Sequence, residues 1–320
     1  MANADTYVAS FFGSSRYFLH AQLATWQNWF FTPAVKLTKL GPYDYLSPVV
    51  IRVLGGNPGA FTLQGTNTYI IGSGTERIII DTGEGATGYH DNLLAALKEH
   101  HVSSITDILL THWHPDHTGG VHSIRRTFPA ARVWKRARPG GEDQYDRNGP
   151  FQNIEDGQCF ATSGATLRAL FSPGHADDHM SFILEEEGNA FSGDNVLGEG
   201  TSVFEDFHQY MASLQRLRDC KPRLIYPSHG PVIEDAMDRV DAYIKHRMDR
   251  EAQILKAMQD APGDDFTIRE VTAKVYEGYP YFAQLAAAHN TNSQMQKLCK
   301  DGKIMLSCEA GLFTGILHLF

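Results

Sequence analysis

Apolar residues in the first two-thirds of the chain fall in short runs closed by Gly, Pro, Asn or Asp. Val49–Leu54, Thr68–Ile71 and Arg77–Ile80 therefore read as strands. The period changes at His90–His101, where Leu93, Leu94 and Leu97 share one helical face. Strand and helix go on alternating through Asp107–Leu110, Val121–Phe128 and Arg132–Trp134, a pattern that suits an α/β layered domain with loops gathered at the strand ends. Arg136 to Asp156 breaks the alternation with Gly, Arg, Asp and Asn and is expected to be an exposed excursion.

Beyond Pro231 the pattern turns helical. Ala236, Val240, Ile244 and Met248 make an i, i+4 row on a helix expected to reach about Met258. After Pro262-Gly263 come three short predicted helices, Ile268–Tyr276, Tyr281–His289 and Asn292–Asp301, then a hairpin of Ile304–Cys308 with Leu312–Leu319. At the other end, Leu19, Leu23, Trp26 and Phe30 predict an amphipathic helix before Pro33. Its apolar face is expected to pack on the main domain or a second subunit, to wall an apolar substrate pocket, or to lie on a membrane surface. The expected division is an N-terminal extension over 1–45, a main domain over 46–232 and a helical subdomain over 233–320.

The chemistry concentrates where the predicted strand through Leu110 ends. Thr111-His112-Trp113-His114-Pro115-Asp116-His117 sets three imidazoles and a carboxylate in a strand-to-turn segment. His112 and His114 alternate to the same side of an extended chain, and Pro115 stops the strand. Donors at that density suit zinc, manganese or iron. Further donors recur in the same context of strand, Gly or Pro, then His or Asp: His175 in Pro173-Gly174-His175, Asp194 in Ser192-Gly193-Asp194, and His229 in Ser228-His229-Gly230.

HxHxDH followed at these intervals by PGH, SGD and SHG resembles the metallo-β-lactamase-fold hydrolases. Within them it is similar to the branch of lactamase-like protein 2 and the fungal polyketide-synthase-associated thioesterases of the atrochrysone carboxyl ACP type. Asn57-Pro58, the stretch Leu63 to Ile70, Ile80 to Gly85, and the run His246-Arg247-Met248-Asp249-Arg250-Glu251 carry the resemblance outside the donors. It implies an αββα sandwich with a C-terminal helical, winged-helix-like subdomain. It also implies two divalent ions, zinc first and manganese or iron as alternatives. His112, His114 and His175 would hold one, Asp116, His117 and His229 the other, and Asp194 would bridge them. Asp81 would orient a ligand rather than bind, or cap the turn at Thr82-Gly83, or both; Asp178 and His179, with Asp177 beside them, either hold a ligand by its free ring nitrogen or form a solvated polar loop. No Cys stands near the donors, which argues against β-lactam hydrolysis.

Composition narrows the rest. The 320 residues are 42% hydrophobic and 20% charged, as in an ordinary globular protein. No run reaches the roughly 18 apolar residues of a membrane helix, and a basic, apolar secretory leader is not evident at the N-terminus. Cys159, Cys220, Cys299 and Cys308 are dispersed and read as reduced thiols, so a cytoplasmic location is expected. A net charge of −9 argues against a broad nucleic-acid surface; in the tail, acids slightly outnumber Lys and Arg, so a wall over the active-site edge is expected there. The expected reaction is hydrolysis by metal-activated water with Asp116 orienting it and accepting a proton. The expected substrate is a polyketide acyl thioester on an acyl carrier protein, since a thiolate leaves without a dedicated acid. Arg125, Arg126, Arg132, Lys135, Arg136 and Arg138 would receive the acidic carrier. A metal-dependent endoribonuclease, tracking RNA on those same residues, is the alternative, and a non-catalytic metal-binding module is a third reading.

Overall fold

The computed structural model describes residues 37–59, 61–141, 149–260, 265–278, 281–309 and 312–316. The predicted N-terminal helix of Leu19, Leu23, Trp26 and Phe30, and part of the 136–156 excursion, lie outside them. Residues 37–250 form one compact unit and the chain from Glu251 belongs to a second.

The first unit is built on two sheets. One runs in chain order: β1 (Tyr43–Ser47), β2 (Val50–Leu54), β3 (Asn67–Ile71), β4 (Glu76–Ile80), β5 (Ser104–Leu109), β6 (Arg132–Lys135) and β7 (Gln152–Asn153). The other has the order β12 (Ile225–Pro227), β11 (Asn189–Gly193), β10 (Met180–Leu184), β9 (Ala165–Phe171) and β8 (Cys159–Thr162). The period-2 pattern of the strands explains the layering. Val50, Tyr69, Ile71, Ile78, Ile80 and Leu109 face Leu167, Ala169, Met180, Phe182, Leu184 and Phe191 across the space between the sheets. Their neighbours Ile51, Val53, Ile70, Ile79 and Ile108 turn the other way. They pack on α1 (Thr87–Glu99) through Tyr89, Leu93, Ala96 and Leu97, and on α3 (Val121–Thr127) through Val121 and Ile124.

The outer face of the second sheet, with Leu170, Ile183, Ala190 and Ile225, is covered by α4 (Phe207–Asp219) and the first half of α5 (Ala236–Gln259). Helix, sheet, sheet, helix is thus the αββα sandwich, reached from strands apolar on both faces. The expected domain edge at 232/233 falls ahead of α5, whereas the compact unit takes in that helix as far as Arg250.

Strand direction gathers the donors. β4, β5 and β6 are parallel, so Asp81 and the segment from Thr111 leave the first sheet at one end. β9 and β11 are both antiparallel to β10, and β12 is parallel to β11, so His175, Asp194 and His229 leave the second sheet at a common end. Main-chain bonds stitch those ends together: Met180 N–H donates to Thr111 O at 2.7 Å, and Asn67 N–H to Ser228 O at 2.7 Å.

In the second unit, β13 (Asp265–Thr267), β15 (Leu312–Ile316) and β14 (Met305–Glu309) make an antiparallel sheet beside α6 (Ile268–Val275) and α7 (Tyr281–Lys300). Ile254, Met258, Phe266, Val271, Met295, Leu298 and Ile304 form its core. That is the helical, winged-helix-like arrangement expected of the tail, with one correction: the two helices predicted over 281–301 are one. The chain stays helical through Asn290 and Thr291, whose hydroxyl donates to Ala287 O one turn back rather than competing for the local main-chain N–H groups. No described helix is long and apolar enough to cross a membrane.

Phe182 is fully buried on the central strand of the second sheet. Phe182→Ala is therefore expected to cost about 3–5 kcal/mol of stability. Urea unfolding measures it; a loss below about 1 kcal/mol would mean that the inter-sheet layer is not the core.

Candidate metal centre

The donors converge as two abutting groups, His112, His114, His175 and Asp194 in one and Asp116, His117 and His229 in the other. Within each, one ligand atom per residue lies within 4.8 Å of the rest. His112 and His114 end the β5 extension. Pro115 opens a single helical turn, α2 (Pro115–Thr118), which carries Asp116 and His117. Gly119 and Gly120 follow, and a Cβ on Gly120 would lie 2.0 Å from Thr82 O, so only glycine passes the β4 loop there.

In the first group, His112 Nε2 is 2.8 Å from His114 Nδ1, and His175 Nε2 is 3.3 and 3.2 Å from those two atoms. Tetrahedral nitrogens around one zinc stand about 3.3 Å apart, given Zn–N bonds of about 2.0–2.1 Å. Burial, reinforced by the neighbouring imidazoles, holds His112 and His114 well below the ordinary histidine range, which leaves neutral lone pairs facing each other. In the second group His117 Nε2 is 3.1 Å from Asp116 Oδ2, and His229 Nε2 is 3.3 Å from the same oxygen. Asp194 reaches both groups: Oδ2 is 3.5 Å from His175 Nε2, and Oδ1 is 3.5 and 3.3 Å from His117 Nε2 and His229 Nε2. Burial opposes charge on His229, but Asp194 and Asp116 outweigh it and push the imidazole up to about 10. This half of the cluster is negative enough to demand a positive charge, as a proton or a metal ion.

His117 Nε2 and Asp194 Oδ1 are buried without a hydrogen-bond partner. Orphaned polar atoms are costly in a protein interior. Aimed into a cluster where ionised carboxylates call for positive charge and the first group's imidazoles are neutral, they fit divalent cations.

The surrounding contacts fix each ring. Asp81, fully buried at φ 59, holds His117 Nδ1–H with Oδ2 at 2.8 Å and accepts from Thr111 N–H with Oδ1 at 2.8 Å. The His117 ring is thereby set with Nε2 toward the cluster. Thr111 Oγ1 is also 3.0 Å from His112 Nδ1, and Thr66 Oγ1 donates to Asp116 Oδ2 at 3.1 Å. Neither threonine was singled out in the sequence, although both stand in its marked segments.

The structure redistributes the remaining expected contacts. His175 Nδ1–H donates to Val203 O at 2.8 Å, so neither Asp177 nor Asp178 holds this ring. Asp178 instead pairs with Lys135 Nζ at 2.7 Å, both side chains fully buried. Burial lifts Asp178 to about 6 against the pull of Lys135. Asp177 pairs with Arg138, whose guanidinium lies 4.6 Å from the Trp113 ring centroid. His179 touches no ligand ring nitrogen through a hydrogen bond; its Nε2 accepts from the Asp194 N–H at 3.1 Å and its Nδ1 is 2.9 Å from Ser172 Oγ.

Four of the six residues of the expected basic face are buried or paired with acids. Lys135 is buried, Arg132 pairs with Asp107, Arg136 with Glu155 and Arg138 with Asp177. Acids far off in sequence supply the partners, which a run of like charges conceals.

The metallo-β-lactamase superfamily model matches residues 61–229. The chain belongs to the metallo-β-lactamase superfamily. Over 274 residues it is 43% identical to the beta-lactamase-like protein 2 homolog of Caenorhabditis elegans, covering 84% of this chain and 90% of that one. It is 43% identical over 253 residues to the atrochrysone carboxyl ACP thioesterase of Aspergillus fumigatus, covering 78% and 77%. A crystallised beta-lactamase domain protein from Burkholderia ambifaria shares the fold at a TM-score of 0.70 and 17% identity, over 89% of this chain and 96% of that one. This superfamily member is a metal-dependent hydrolase with a His and Asp cluster able to bind metal ions.

Gly193 adopts φ 54, and a Cβ there would fall 2.4 Å from His179 Nε2. Gly193→Ala is expected to lower stability by about 1–3 kcal/mol, read by urea unfolding of metal-free protein. An unchanged midpoint would show that the turn before Asp194 does not depend on the His179 contact.

Proposed function

We propose that this hydrolase is a binuclear thioesterase that frees an acyl group from an acyl carrier protein. The observation that carries the binuclear part is the placing of Asp194 within 3.5 Å of donors in both groups, one carboxylate oxygen toward each. His112, His114 and His175 would hold one ion, and Asp116, His117 and His229 the other, with Asp194 between them; zinc suits the imidazole-rich set best, and manganese or iron are the alternatives. Bound there, divalent ions would polarise the thioester carbonyl and make water acidic enough to attack near neutral pH.

The chain's own residues do the rest. Burial works against ionised Asp116, but His117 and His229 hold its carboxylate well below the usual range. Thr66 fixes Oδ2 by donation, so the ionised carboxylate would orient the attacking water and take its proton only transiently, as a weak base. Asp81 keeps His117 from turning while that proton moves. Thiol leaving groups have a parent pKa near 8.5, so expulsion needs no further acid.

The acyl-carrier substrate rests on relatives: the Aspergillus fumigatus protein and others at 40–41% identity are named atrochrysone carboxyl ACP thioesterases. The endoribonuclease alternative is weakened, because four of the six basic residues meant to track phosphate (Arg132, Lys135, Arg136 and Arg138) are paired with acids. The same pairings interrupt the Arg132–Arg138 part of that stretch as a docking face for the carrier. Turnover by the metal-loaded protein would separate this reading from a metal-binding module without catalysis.

A substrate panel tests it. Metal-loaded protein should cleave aromatic acyl thioesters on a carrier protein and leave single-stranded RNA and a cephalosporin intact. Cleavage of RNA without thioester would overturn the proposal. Asp116→Asn should lower kcat by about 100-fold or more with little change in KM; a fall in binding alone would deny Asp116 its proton-accepting role.

A further inference from the structure

The run His246 to Glu251 on α5 contains a buried cation that the reaction above does not use. Arg247 is 7% exposed, its Nε has no hydrogen-bond partner, and no carboxylate pairs with it among the described residues. A guanidinium so placed is costly unless it stabilises something else. Its surroundings say what. Cζ lies 5.0 Å from the Phe204 ring centroid and 5.8 Å from that of Tyr210, and the guanidinium donates to Ser202 O at 2.7 Å.

Ser202, Val203 and Phe204 form the loop whose Val203 carbonyl takes the Nδ1–H of His175 at 2.8 Å. Ser202 Oγ donates to that same carbonyl at 2.9 Å. The loop is also clasped to the strand end before His175, since Glu205 and Asp206 N–H donate to Gly174 O at 2.7 and 3.0 Å. A Cβ on Gly174 would lie 2.2 Å from Tyr210 N, so the two segments meet at glycine distance. Only the first residues of the loop lack such a clasp to the 174 carbonyl, and there Arg247 holds Ser202.

We propose that Arg247 is a positioning residue for His175. Stacked on Phe204 and Tyr210, it fixes the Ser202 peptide, and with it the Val203 carbonyl that sets the His175 ring with Nε2 toward His112 and His114. A planar fork that stacks and donates at once is a property of arginine that lysine lacks. The missing carboxylate follows: an acid beside Arg247 would compete with the Ser202 carbonyl for its N–H groups. The inference rests on the proposed ligand role of His175, and two readouts separate the failures of each.

The first readout is the His175 ring N–H signal in metal-free, full-length protein labelled with nitrogen-15. In the wild type, with the ring buried and bonded to Val203 O, it is expected to exchange slowly with water. In Arg247→Met, which removes the charge but keeps the stem, it should exchange at least about tenfold faster, while core amides stay protected. The second is titration with Co(II), followed by absorption. Arg247→Met should weaken one of the two binding steps by about 10–100-fold and spare the other. Arg247→Lys should fail to restore either readout. Should Arg247→Met not fold, Phe204→Leu, which removes the stacking surface alone, should shift both readouts the same way by a smaller factor. An unchanged ring signal in a folded variant overturns the proposal, as does equal weakening of both binding steps. Absence of Co(II) binding in the wild type would instead overturn the metal reading, with the ring signal still testing Arg247.

Discussion

Everything in the first unit bears on one constraint: imidazole lone pairs and carboxylates must be held face to face, out of water. His112, His114 and His175 nitrogens sit 2.8–3.3 Å apart, and Asp194 and Asp116 stand beside His117 and His229 at similar range. Left to themselves, these groups would rotate away or take up water. They stay because each is fixed from behind: His117 by Asp81, His175 by the Val203 carbonyl, Asp116 by Thr66, and the Asp194 main chain by His179.

The sandwich supplies the rigidity for those contacts. Strands that are apolar on both faces anchor the peptide immediately before each donor, so a short loop is all that separates a ligand from the core. Main-chain bonds from Met180 to Thr111 and from Asn67 to Ser228 lock the two sheets at the same end. A cluster shared between sheets is thereby as firmly placed as one built on a single element. Lys135 and Asp178 extend this logic: a fully buried ion pair joins β6 to the loop after His175. Such pairs add little to stability, but each partner strictly requires the other.

What was legible in the sequence was local. Short apolar runs closed by turn residues at Val50–Leu54 and Asn67–Ile71 mark strands buried on both faces, and HxHxDH marks donors because its residues share one strand-to-turn segment. Partnerships across long chain separations were not legible. Asp178 and Lys135 are far apart in sequence, so one read as a holder of ligands and the other as a surface charge. Val203 holds His175 with a carbonyl, and a backbone atom leaves no residue signature. The continuity of the helix through Asn290 and Thr291 leaves no signal in their polar side chains, one of which bonds back to the Ala287 carbonyl. Thr111 and Thr66 carry the same lesson, since a hydroxyl shows its use only once its neighbours are placed.

The central claim is that two abutting donor groups share Asp194, and metal content tests it most directly. Elemental analysis of active, purified protein should give about two transition-metal ions per chain, and folded Asp194→Ala should hold markedly less. Active protein carrying a single ion per chain, or an Asp194→Ala variant that keeps the full complement, would contradict the account.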